Sequence, residues 1–62
     1  MEIYALNAKL ADNNTEILSY HKKKENAQEL ANRINSKDKK LATVYDYDFI
    51  SNVSVALIIV NK

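Results

Sequence analysis

Neither glycine nor proline occurs anywhere in the chain. Glycine enters positive φ without steric cost and proline presets the first angle of a turn, so every reversal here must be built from other side chains. Asparagine is the best substitute, because its short amide tolerates the left-handed region and bonds nearby backbone. The sequence holds eight of them, and Asp12-Asn13-Asn14-Thr15 is the clearest cluster around one.

At 62 residues and 7.1 kDa there is material for one core, and a single domain over 1–62 is predicted. At this length apolar burial and the entropy of ordering nearly cancel. No cysteine is present to add a disulfide or a thiolate metal site, so association with a second copy is the natural further source of stability. Nine Lys and Arg against eight Asp and Glu leave a net charge of +1, without the dense field of a nucleic-acid binder or of an acidic DNA mimic. Met1 leads directly into an alternating segment with no basic and apolar leader. The longest apolar stretch, Val55 to Val60, is far below the roughly 20 residues of a membrane span. A soluble, cytoplasmic protein without membrane contact is expected.

Ile3 to Leu10 alternates, with Tyr4, Leu6, Ala8 and Leu10 on one side and Ile3, Ala5, Asn7 and Lys9 on the other, as in a half-buried strand. Setting Leu10 opposite Leu18 across a loop at residues 13–15 makes a hairpin in which Leu18 and Tyr20 share the face of Leu6. Ala27, Leu30, Ala31 and Ile34 then follow helical spacing, which predicts a helix over about residues 23–36. Beyond the basic connector Lys37-Asp38-Lys39-Lys40, the positions Leu41, Thr43, Tyr45, Tyr47 and Phe49 alternate with Ala42, Val44, Asp46 and Asp48, predicting a third strand. Ile50-Ser51-Asn52 is read as its turn, and Val53 to Val60 as a fourth strand, apolar on both faces, with Leu57 in the core.

The runs Ile3-Tyr4-Ala5-Leu6, Glu16-Ile17-Leu18-Ser19-Tyr20 and Lys24-Glu25-Asn26-Ala27, leading into Leu30-Ala31, resemble short uncharacterised proteins of phages and prophages in low-GC Gram-positive bacteria. The resemblance covers about the first 35 residues and implies a small accessory protein. It carries over no functional residue. Those proteins cap the helix with Ser or Thr where this chain has Lys23.

Four groups of side chains invite a chemical reading. His21 is the sole histidine, and catalysis would require an acid such as Asp46 or Asp48 and a serine beside it. Asp46 and Asp48 supply two carboxylates on one strand face, short of the six or more oxygens a hard cation takes, so neither a metal nor a cofactor is predicted. Tyr45, Tyr47 and Phe49 form an aromatic face that would stack bases, but no Lys or Arg interleaves with it. Lys22, Lys23 and Lys24 stand at the positive end of the helix dipole. There they either form an anion site for a partner's carboxylates or lie ahead of a helix that starts later, capped by Asn26 with Glu29 closing the box.

The combined expectation is an α+β fold of order β-β-α-β-β: a four-stranded, mainly antiparallel sheet, strand order 2-1-4-3, with one helix on one face. Val44, Ile58, Val60 and Ile3 would then lie on the uncovered face as a dimer interface, and a homodimer is expected through that face or through an edge strand. The function expected is that of a non-enzymatic protein-binding module, with Lys22, Lys23 and Lys24 as its partner-binding residues. An accessory factor of a phage or prophage, such as an inhibitor of a host defence or regulatory protein, acting in the host cytoplasm, fits that description. The rival is a small nucleic-acid-binding module using the Lys clusters at both ends of the helix, against which the low net charge argues.

Overall fold

The computed structural model describes residues 1–60. Three strands, β1 (Glu2–Leu10), β2 (Thr15–His21) and β3 (Ile50–Ile59), form an antiparallel sheet in the order β2-β1-β3. One helix, α1 (Lys24–Asn35), and a 3-10 turn at Lys39–Leu41 lie between β2 and β3. Both flanking strands run antiparallel to β1, so they are parallel to each other and need a crossover between them. The helix provides it.

The helix covers one face of the sheet. Ala27, Ala31 and Ile34 meet Leu6, Ala8, Leu10 and Val53 in the core, with Leu6 the largest side chain fully withdrawn from water. Alanines at the contact keep helix and sheet close, and Tyr4, Leu18, Leu30, Tyr45 and Tyr47 pack around the rim.

Of the two positive-φ positions among the described residues, one falls on asparagine, as the composition predicts, and one does not. Asn13 takes φ 71° in the β1–β2 turn, where its N–H donates to the Leu10 carbonyl (3.0 Å) and the Leu10 N–H donates to the Asn14 carbonyl (2.8 Å). Asp12 accepts from both the backbone and the side-chain amide of Asn14, at 3.0 Å each. The second positive φ, 57°, falls on Lys37. Its N–H donates to the Ile34 carbonyl and that of Asp38 to the Arg33 carbonyl, the pair of bonds that closes a Schellman motif.

The hairpin register differs from the one expected. Lys9 pairs with Thr15, and an irregularity at Leu6/Asn7 leaves Leu18 as an extra residue between Ile17 and Ser19. Such a bulge exchanges the side-chain parity of the strand. Leu18 still packs on the core, but Tyr20, opposite Ala5, moves to the face away from the helix.

Residues 41–49 do not form the expected strand; they make the 3-10 turn and a series of tight turns. Two aspartates organise them. Asp38 accepts from the Lys40 N–H (2.9 Å) and Asp46 from the Asp48 N–H (3.1 Å), local bonds that compete with a ladder. Tyr47 donates to the Asp38 carbonyl (2.7 Å), holding the connection against the body. Ile50-Ser51-Asn52, expected to turn, instead opens β3, which therefore lies at a sheet edge and not in its interior. Leu57 is 52% exposed there, beyond the helix, and is not a core residue. The fold is α+β with three antiparallel strands.

Candidate functional site

Registers on both sides of β1 define the face that the helix leaves open. Ile3 lies opposite Ile58 and Ala5 opposite Ala56 on one side, while Ala5 lies opposite Tyr20 and Asn7 opposite Ile17 on the other. Side chains directly across an antiparallel pair share a face, so Ile3, Ile17, Tyr20, Ala56 and Ile58 form one surface around Ala5. Ala5 is fully buried at its centre, whereas Tyr20 is 63% exposed and Ile17 and Ile58 are also exposed.

Three of the four residues expected at a dimer interface thus share this face: Ile3 lies opposite Ile58, and Val60, opposite Met1, is two residues on from Ile58. Val60 follows β3 and donates its N–H to the Met1 carbonyl (2.8 Å), continuing the ladder by one pair. Val44 is elsewhere: it sits in the turn after the 3-10 segment, 67% exposed, because the strand that would have carried it does not form. Tyr20 joins this surface against the expected alternation of β2, whereas Ile17, next to Leu18 and before the bulge, lies on the side that alternation gives it. Their i, i+3 spacing in a strand is the one trace of the bulge between them.

Lys22, Lys23 and Lys24 follow β2 directly and are all exposed. Lys23 is the N-cap, in extended conformation (φ −112°, ψ 130°), without a side-chain capping bond, and the Ala27 N–H donates to its carbonyl (3.3 Å). The helix therefore begins at Lys24, and Asn26 lies inside it, not at its cap. Glu25 is the acidic group of the first turn.

His21 Nε2 lies 2.8 Å from Ser19 Oγ, two residues back on the same strand. Asp46 and Asp48 belong to the turn region; Asp46 accepts from the Asp48 backbone, and the two line an open depression over residues 42–48. Histidine and aspartates do not converge into one constellation. Among the described residues no group of three or more His, Cys, Asp or Glu stands where it would hold a metal ion.

The strongest electrostatic pair is Arg33 with Asp38, Nε to Oδ2 at 2.9 Å across the helix end. The Arg33 bond and the Lys40 backbone N–H hold the Asp38 carboxyl below its ordinary range, and the same bond raises the Arg33 guanidinium. Burial, with the Glu2 carboxylate that accepts its hydroxyl, pushes the Tyr4 phenol up. Partial burial, helped by Asp38, does the same for Tyr47. Tyr4 and Tyr47 pack against the core on the helix side of the sheet, and the Arg33–Asp38 pair ties the helix end to the connector that follows it.

Among the described residues no helix is long and apolar enough to cross a membrane. No protein-family model, curated protein or solved structure matches the chain.

Proposed function

We propose that the chain is a non-enzymatic protein-binding module that seats its helix-free sheet face on a larger protein. The observation that carries this reading is the gathering of Ile17, Tyr20 and Ile58 on one exposed surface of so small a molecule. Tyrosine suits such a role, since it contributes a large apolar body, a polar tip and little side-chain entropy to lose. Lys22, Lys23 and Lys24 continue from the strand that bears Tyr20, so the complementary surface is apolar with carboxylates at its border. The resemblance of the first 35 residues to phage and prophage proteins suits an accessory factor, for instance an inhibitor of a host defence or regulatory protein. The rival, nucleic-acid binding, would draw on the lysines at 22–24 and 37–40.

The test compares capture by the parent and by Tyr20→Glu from an extract of a low-GC Gram-positive host. A protein retained by the parent and lost by the variant, with the variant's circular dichroism unchanged, supports the reading. Identical captures by the two would overturn it. Binding of generic DNA or RNA that weakens steeply with salt would support the rival instead.

A further inference from the structure

The outer edge of β3 is a second surface, independent of the helix-free face. Antiparallel ladders alternate, and the Met1–Val60 pair exchanges hydrogen bonds, so Ile3–Ile58, Ala5–Ala56 and Asn7–Ser54 do likewise. The backbone groups of Val53, Val55, Leu57 and Ile59 therefore point away from β1. Val53 is closed by Asn35, whose amide donates to its carbonyl and accepts from its N–H, both at 2.8 Å. Among the described residues, none bonds the outward groups of Val55, Leu57 and Ile59.

The two edges of the sheet are not alike. β2 is interrupted by its bulge, carries Glu16 and runs into three lysines, all devices that discourage strand addition. β3 is regular from Asn52 to Ile59 and has no charged residue from 50 to 59. We propose that two copies of the chain pair antiparallel along β3, across a two-fold axis at Leu57.

The register follows from the closure at Val53. Centring the axis on Leu57 sets Val55 against Ile59 of the second copy, Leu57 against its own counterpart, and Ile59 against Val55, so every free outward group is paired. A shift by one step towards Val53 would leave Ile59 facing a residue already bonded to Asn35. An uncharged strand meets its copy without like-charge repulsion, and the cross-strand neighbours are all aliphatic. The size of the surface agrees: the chain exposes 4629 Å², against about 4,100 Å² for a compact monomer of its mass. That excess of roughly 500 Å² approaches the roughly 600–800 Å² a side of a small stable interface. Its radius of gyration, 11.9 Å, likewise exceeds the roughly 10.6 Å of a compact chain of this length. The resulting six-stranded sheet carries both helices on one side and leaves the helix-free faces continuous on the other.

Light scattering on the full chain at about 100 µM should give twice the 7.1 kDa mass. Leu57→Pro removes an N–H that the monomer does not use and should halve that mass, whereas Tyr20→Glu should leave it unchanged. Because the proline variant can fail to fold, Leu57→Cys provides a second readout in a chain with no other cysteine. Residues in a bonded antiparallel pair lie about 5.5 Å apart at Cα, within disulfide range, so mild oxidation should cross-link this variant. The control, Tyr20→Cys, should give no covalent dimer under the same oxidation. A monomeric parent, a dimer broken by Tyr20→Glu, or cross-linking of the Tyr20→Cys variant but not of the Leu57→Cys variant would each overturn the pairing.

Discussion

Asn35, the last residue of α1, holds Val53 by both ends of its side-chain amide and so closes the first free position on the edge of β3. A helix end is thereby locked to a strand 18 residues away by groups that mimic one rung of a ladder. Asn35→Ala should cost about 1–3 kcal/mol in urea denaturation, since both Val53 groups lose a partner at a part-buried place. Asn35→Asp keeps the acceptor but sets a carboxylate against the Val53 carbonyl. It should be the less stable of the two at pH 7 and recover when protonated, and equal stability of Asn35→Asp and parent at pH 7 would contradict the bidentate bond.

Lys37 occupies the left-handed position of the Schellman motif with φ 57°. A residue with a Cβ is strained there, and glycine removes the strain at some cost in unfolded-state entropy. Lys37→Gly should raise stability by about 0.5–1 kcal/mol. A loss of stability would mean that the lysine side chain supports the cap.

Lys23 is an N-cap without a capping bond. Lys23→Ser should stabilise the helix by about 0.5–2 kcal/mol through an acceptor for the free N–H groups and relief from the dipole. If the lysines at 22–24 serve a partner, replacing all three by Gln should also slow association and flatten its dependence on salt. Unchanged rate and salt slope would assign them to solubility alone.

The Asp38 carboxyl is held below its ordinary value, first by the Arg33 bond and then by the Lys40 N–H. A depressed carboxylate binds fewer protons folded than unfolded, so its stabilisation is complete above the unfolded pKa and is lost as pH falls through the folded one. Melting temperature should drop below about pH 4, and Asp38→Asn should show a smaller drop across the same window. Parallel curves for the two proteins would exclude this carboxylate as a source of acid sensitivity.

Local chemistry was legible wherever one side chain decides its own backbone. Asn13 takes the positive φ that the missing glycine demanded, and the spacing of Ala27, Ala31 and Ile34 marks the buried stripe of the helix. Alternation at Leu41 to Phe49 misled, because Asp38 and Asp46 accept from backbone N–H groups two residues on and fold the segment into turns. Period-two hydropathy cannot register that competition. The surface formed by Ile17, Tyr20 and Ile58 was only partly visible, since the bulge at Leu18 reverses which side chains of β2 beyond it face outward, Tyr20 among them.

What the sequence determined by itself is therefore short-range: a strand at Ile3 to Leu10, a helix with a narrow apolar stripe, and the reversal at Asn13. These depend on φ preferences and on contacts within a few residues. The tertiary structure decided the pairing of β3 with β1, the parity of β2 past Leu18, and the closure of Val53 by Asn35. Each joins groups distant in the chain or shifts a register by one residue, and a one-residue shift leaves composition and local propensity unchanged while exchanging the buried and exposed faces.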